Sequence, residues 1–241
     1  MMMKKRTFFS LMLLIAMLLL EGAGEVRAGV TVEQVVRDRE GSPSKVFLYF
    51  SDGLFRTDHP AGGLTTIMDF KEDRLLMIDH RSRNYIDVKL SQWEREVAKR
   101  LKQEISGVMA KERKIIVKRT GQTAVINGFQ TEQVEVRVEG ELIEENWMTR
   151  DVEMKEIEKV MDRVAQGFSK DFRLEMKEGR EIYEKLKPFG FPILIKDYTM
   201  TYGLGAIDRV EVRKMEKKEL EKEVFIPPAG YRKIVPESPK K

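Results

Sequence analysis

Between Lys45 and Val88 five short β-rich runs follow one another with little but turn residues between them. The runs are Val46-Phe47-Leu48-Tyr49-Phe50, Leu54-Phe55-Arg56, Leu64-Thr65-Thr66-Ile67-Met68, Leu75-Leu76-Met77-Ile78 and Tyr85-Ile86-Asp87-Val88. Their connectors, Ser51-Asp52-Gly53, Asp58 to Gly63, Asp69 to Asp73 and Asp79 to Asn84, each carry the Gly, Pro, Asp or Asn that a tight reversal needs. Parallel neighbours require a crossover of a dozen residues or more, and no connector here is that long, so the block is an antiparallel meander. Val46 to Phe50 is apolar on both alternating faces, which predicts cover on both sides of the sheet, with helices on one of them.

The chain around this block reads as more strands and two helical stretches. Val30, Val32, Val35 and Val36 form a strand or a short helix that ends at Glu40-Gly41-Ser42-Pro43. Ser91-Gln92-Trp93-Glu94 has capping-box form, and Trp93, Val97, Leu101, Ile105 and Met109 then make one apolar stripe along a helix. Lys114 to Lys118 returns to strand, and Thr120-Gly121-Gln122 reads as a turn. Asn127-Gly128 is the strongest short hairpin signal in the chain, and the alternation of Val134, Val136 and Val138 with polar residues follows it. Glu139-Gly140-Glu141 turns into Leu142 to Met148. Asp151 is the expected N-cap of a second helix carrying Ile157, Val160, Met161, Val164, Phe168 and Phe172, interrupted at Gly179 and ended by Pro188. Strands follow at Gly190 to Ile195, Tyr198 to Tyr202 and Ile207 to Met215, before a closing Val224 to Tyr231 and a polar tail, 236–241.

Composition removes several function classes. The 241 residues contain no cysteine, which excludes disulfides, thiolate catalysis, cysteine-based zinc sites and a cysteine-linked lipid anchor. The net charge is +4; setting aside residues 1–28 leaves 40 basic and 38 acidic residues, a balance that argues against nucleic acid as a partner. Those first residues combine Lys4-Lys5-Arg6, an apolar run from Phe8 to Leu20 and the short side chains of Val26 and Ala28. This is the pattern of a secretory signal cleaved after Ala28, giving an exported, periplasmic protein with one domain over 29–235. The alternative is an inner-membrane anchor through an uncleaved Phe8–Leu20, a run shorter than the ~20 residues a spanning helix needs.

The order of these elements is itself distinctive. Gly53-Leu54-Phe55-Arg56 and Met68-Asp69 in the meander, Ile126-Asn127-Gly128-Phe129 leading to Trp147, Gly190-Phe191-Pro192, and Phe225-Ile226-Pro227-Pro228-Ala229-Gly230-Tyr231 together resemble an exported bacterial family in the lipoprotein-carrier-like superfamily, the relatives of LolA, LolB and RseB. The resemblance spans nearly all of Gly29 to Val235 and rests mostly on turn and strand-end residues. It implies an α+β fold in which a curved antiparallel sheet, a half-barrel, has helices packed across its concave face. An apolar cavity lies between them, which holds lipoprotein acyl chains in the carriers and reads envelope state in the stress sensor.

Asp58-His59 and Asp79-His80 are the residues that invite a metal or acid–base reading. Both histidines fall in predicted turns, where Asp and His are ordinary surface residues, and no ligand spacing accompanies them. There is no Gly-x-Ser-x-Gly and no phosphate-binding loop. The expectation is therefore a non-enzyme with no cofactor, a monomer binding a lipid, an acyl chain or another apolar ligand. Phe47, Tyr49, Phe55, Met68, Met77, Tyr85, Trp147 and Tyr198 are the candidate lining, although core packing accounts equally well for any single one. The other expectation is an envelope protein–protein interaction or stress-sensing module with no bound ligand.

Overall fold

The computed structural model describes residues 26–38, 42–104, 113–167, 174–198 and 207–235. Within these, strands β1 (Val26–Asp38), β2 (Pro43–Ser51), β3 (Leu54–His59), β4 (Leu64–Asp69), β5 (Arg74–Asp79) and β6 (Asn84–Lys89) lead into helix α1 (Leu90–Glu104). Strands β7 (Ile115–Ile126), β8 (Phe129–Val138) and β9 (Glu141–Thr149) follow, then helices α2 (Lys155–Gly167) and α3 (Leu174–Leu186). The chain finishes with β10 (Phe191–Asp197), β11 (Ile207–Glu221) and the two-residue β12 (Arg232–Lys233). All twelve strands form one open sheet in the order β12-β6-β5-β4-β3-β2-β1-β11-β10-β9-β8-β7. Every neighbouring pair is antiparallel except β12 with β6.

The meander forms as its turns dictate, and its register sorts the side chains into rows. One face carries Val30–Phe50–Phe55–Met68–Leu75–Val88 across six strands, with Val32–Leu48–Thr57–Thr66–Met77–Ile86 beside it. We call this the Phe50 face. The opposite, Tyr49 face carries Thr31–Tyr49–Arg56–Ile67–Leu76–Asp87 and Phe47–Asp58–Thr65–Ile78–Tyr85. Because side chains alternate along a strand, a run apolar at every position feeds both faces.

Each face has its own cover. On the Phe50 face, Val30, Val32, Phe50, Phe191, Ile193 and Val212 cluster with Ile157 and Val160 of α2. On the Tyr49 face, Leu54, Ile67, Leu76, Ile78 and Leu220 cluster with Phe225, which a short 3₁₀ turn (Lys222–Phe225) brings over the sheet. A third cluster joins Ile115, Val136, Val138 and Ile143 to Ile182 of α3. Cover on both sides is thus present, with the C-terminal segment supplying the side that no helix reaches in these clusters.

Several local expectations need correction. Ser91 does not cap its own helix: its N–H and hydroxyl donate to the two carboxylate oxygens of Asp73 at 2.8 and 2.7 Å, so the β4–β5 turn caps α1 from the end of the neighbouring strand. Asp151 is not an N-cap, because α2 starts at Lys155; its carboxylate accepts the Gln130 N–H at 3.0 Å. Thr120-Gly121-Gln122 is no turn but an irregularity between Arg119 and Thr123 within the continuous β7. Gly179 lies inside α3 without breaking it. The segment from Val30 to Val36 is strand, not helix. Asn127-Gly128 does make the hairpin, both residues being left-handed with φ of 50° and 87°. Ile105, Met109, Phe168, Phe172 and the expected strand Tyr198 to Tyr202 (beyond Tyr198) lie outside the described residues, as do residues 1–25 and the tail.

Candidate functional site

The eight candidate lining residues do not share one cavity, and alternation is the reason. Phe55, Met68 and Met77 lie on the Phe50 face, whereas Phe47, Tyr49 and Tyr85 lie on the Tyr49 face. Trp147 and Tyr198 belong to the far half of the sheet, on β9 and just past β10. Tyr49 and Tyr85 pack on the Phe225 cluster, and the Arg56 guanidinium stands 5.3 Å from the centre of the Tyr49 ring. Phe47 and Tyr49 also line a cleft of about 200 Å³ with Glu33, Lys214, Glu216 and Lys218.

The Phe50 face carries an extended apolar strip across the meander. Phe50 itself is buried, but Phe55, Met68, Met77, Ile86 and Val88 are only half-buried, and Leu64 at the end of the face is 51% exposed. Phe55 stacks on Phe50 with ring centres 5.0 Å apart. Helix α1 lies against β5 and β6, and α2 against β1 and β2, so the strip runs between elements.

The Tyr49 face holds a polar chain that the sequence reading missed. Arg56 donates through Nε and Nη2 to the two oxygens of Asp58 at 2.7 and 2.9 Å, and through Nη1 to the carbonyl of Val224. Thr65 Oγ1 donates to Asp58 at 2.6 Å and lies 2.9 Å from His80 Nε2. His80 Nδ1 in turn lies 3.0 Å from the Tyr231 hydroxyl. Asp58 and His59 therefore lie in strand β3 and not in a turn, Asp58 in an ion pair and His59 exposed; His80 does sit in the turn after β5, but half-buried under the C-terminal segment and not at the surface as expected. Thr65 is 2% exposed, so the chain works as a clamp rather than as chemistry open to a substrate. The available signal was the Arg56-x-Asp58 spacing, which places both residues on one strand face.

Beyond His80 the segment is held by Arg232 N–H to the Arg83 carbonyl and by Lys233 Nζ to Asp87 at 2.9 Å. Tyr231→Phe removes one hydrogen bond of the clamp and is expected to cost about 1 kcal/mol, or about 2–4 °C of Tm by circular dichroism. An unchanged Tm would remove the clamp from the account of stability. Hydrogen bonds from Arg74, aided by Lys233, hold the Asp87 carboxyl below its ordinary value. The stability this contributes is fully present above the ordinary carboxylate value and is lost as pH falls from there through the lowered folded-state value, so the segment should loosen in acid.

The far half of the sheet is organised by two carboxylates. Glu145 accepts Lys196 Nζ at 2.7 Å together with Tyr198 and Gln133; burial opposes its ionisation, but these donors hold its carboxyl low. Glu211, 7% exposed, accepts Arg209 Nη2 at 2.9 Å, Arg213 Nη1 at 2.8 Å and Asn127 Nδ2 at 3.0 Å. Trp147 stands in register with Leu194, in the row beside Lys196 and Glu145. On the reverse face Glu144 is opposite Asp197, and burial pushes the Glu144 carboxyl up. Among the described residues no group of three His, Cys, Asp or Glu is placed to hold a metal ion, and no helix is long and apolar enough to cross a membrane.

Comparison with known proteins adds little chemistry. No curated protein matches the chain. The solved structure of PNGF-II in a C2 space group is similar at 10% identity and a TM-score of 0.37, over 86% of this chain and 30% of that one, a likeness too loose to carry an argument. A family model described as a domain of unknown function, DUF4412, matches residues 34–231, and the chain belongs to that family.

Proposed function

We propose that this is an exported periplasmic protein of the lipoprotein-carrier-like kind, whose sheet curves into a half-barrel with helices across its concave face and binds a lipid, an acyl chain or another apolar ligand there. The observation that supports it is the Phe50 face: an apolar row unbroken over six strands, in which Phe55, Met68 and Val88 stay half-buried while Val30, Phe50 and Leu75 are buried. Phe55, Met68 and Met77 are the lining in this reading, and Phe47, Tyr49 and Tyr85 are structural. Methionine suits an adaptable apolar wall because its unbranched thioether re-packs easily.

The test is purification from periplasm without detergent, mass spectrometry for co-purifying lipid, and titration with a fluorescent fatty acid. Met68→Asp and Met77→Asp each place a carboxylate against the chain and should weaken the probe at least about tenfold, a loss of ~1.4 kcal/mol. Phe47→Ala, on the other face, should leave it unchanged. Protein that is ligand-free and also fails to bind the probe would sink this reading.

A second reading, an envelope protein–protein interaction without ligand, draws on a cleft of about 630 Å³. Its lining includes Arg27, Asp52, Asp69, Lys71, Glu156 and Lys222, more suited to a polar protein surface than to an acyl chain. One stoichiometric partner in a periplasmic pull-down from cells would favour it.

A further inference from the structure

Across β2, β1 and β11 the register sets two rows on the Tyr49 face, Tyr49–Thr31–Glu216 and Phe47–Glu33–Lys214. The middle residue of the first row is short and both its neighbours are long, so a trough opens over Thr31. Phe47 and Tyr49 form one wall and Lys214, Glu216 and Lys218 the other, with about 200 Å³ between them. The Tyr49 ring is fixed, packed on the Phe225 cluster with Arg56 over it. Phe47 is half-buried and belongs to none of the three apolar clusters, so its ring lends its free surface to the trough. We propose that this trough binds one pyranose ring of a neutral saccharide, its C–H face on Phe47 and its hydroxyls on Thr31, Lys214 and Glu216.

The charges around the trough favour a neutral polyol over an ion. Glu33 accepts Lys45 Nζ at 2.9 Å, and Glu216 accepts Lys214 Nζ at 2.7 Å and attracts Lys218. The flanking charges are spent as well: Asp58, the register partner of Phe47, on Arg56 and Thr65, and Glu211, one row past Lys214, on Arg213, Arg209 and Asn127. An incoming anion would have to lie beside Glu33 and Glu216, and a cation beside three lysines. A hydroxyl both donates and accepts, so it can bond a carboxylate and an ammonium together without breaking their pair. Each lysine here keeps N–H groups beyond the one it gives, and each carboxylate keeps lone pairs. A sugar ring also brings a flat C–H face, which an aromatic ring buries as it would any apolar surface. The volume is below the ~300 Å³ at which sites for larger ligands begin, so the trough holds one ring and not a chain of them. Affinity for a single ring is expected at about 1 mM or weaker. The trough lies on the opposite face from Phe55, Met68 and Met77 and does not depend on an apolar ligand there.

The experiment is an NMR titration of the wild-type protein with methyl β-D-glucopyranoside, methyl β-D-galactopyranoside and N-acetylglucosamine, and with sodium glucuronate as the charged counterpart. The Phe47 ring protons and the backbone amides of Thr31, Tyr49 and Glu216 are followed. Saturable shifts at these groups are expected with at least one neutral sugar, together with magnetisation transfer from Phe47 to the sugar's ring C–H protons. Phe47→Ala should weaken that sugar at least about tenfold, whereas Phe47→Trp, which keeps an aromatic surface, should bind it within about threefold of the wild type. Circular dichroism melts establish that each variant is folded. Shifts that stay linear with all three neutral sugars, saturation by glucuronate alone, or equal affinity in a folded Phe47→Ala overturn the proposal.

Discussion

Gly190→Ala is expected to destabilise the protein by about 3 kcal/mol or more, lowering Tm by about 6 °C or more. Gly190 sits between the 3₁₀ turn Lys187–Phe189 and the first residue of β10, with φ 105° and ψ −139°. Side chains with L chirality rarely adopt that conformation, and forcing one there costs on the order of 1–3 kcal/mol. A Cβ at this point would also overlap the backbone oxygen and carbon of Thr149, the residue with which Phe191 opens the β9–β10 ladder. Backbone cannot rotate aside as a side chain can, so the ladder itself must shift. Gly128→Ala is the control: its φ is also positive, 87°, but nothing lies within 4 Å of the added methyl. It should show only the conformational cost, about 1–2 kcal/mol. Urea melts of both variants measure the difference, and equal losses would refute the close approach at Thr149.

The contrast between these two glycines shows what the sequence could carry. Asn127-Gly128 announces its hairpin because the requirement is local: two left-handed residues between alternating strands. The five meander strands were legible for the same reason, since each turn is written into the residues that make it. Ser91 shows where this fails. Its capping-box spacing with Glu94 is real, but Asp73 outcompetes Glu94 for it from the β4–β5 turn, a donor–acceptor match set by tertiary placement. Asp151 fails likewise, its carboxylate spent on Gln130.

The candidate site was legible only as composition. Phe47, Tyr49, Phe55, Met68, Met77 and Tyr85 are all meander residues of the right chemistry, yet parity decides the face, and parity across a turn depends on its register. Once Phe50 pairs with Phe55 and Phe55 with Met68, the set divides three and three. The clamp Arg56–Asp58–Thr65–His80–Tyr231 was invisible for another reason: 151 positions separate His80 from Tyr231, and nothing local to either marks the contact.

Phe50→Ala and Phe55→Ala separate core from lining on the Phe50 face. Phe50 is 1% exposed, has Val30 and Phe55 as register neighbours, and clusters with Ile157 and Val160. Truncating it removes the ring from a site with no solvent to fill the gap, and about 3–5 kcal/mol is the expected cost. Phe55 is half-buried at the margin of the same cluster, with Met68 as its register partner, so its truncation should cost roughly half as much. Because the rings stack, the two losses should not add: the double variant should fall short of their sum by about 0.5–1.5 kcal/mol. Probe binding should rank the other way, with Phe55→Ala weakening a fluorescent fatty acid more than Phe50→Ala does. A lining residue gives its surface to the ligand, while a core residue gives it to α2. If Phe50→Ala costs less than about 1.5 kcal/mol, the six-strand row is not the core of this sheet. If both variants bind the probe like the wild type, the Phe50 face is core throughout, and the apolar ligand has no wall to lie on.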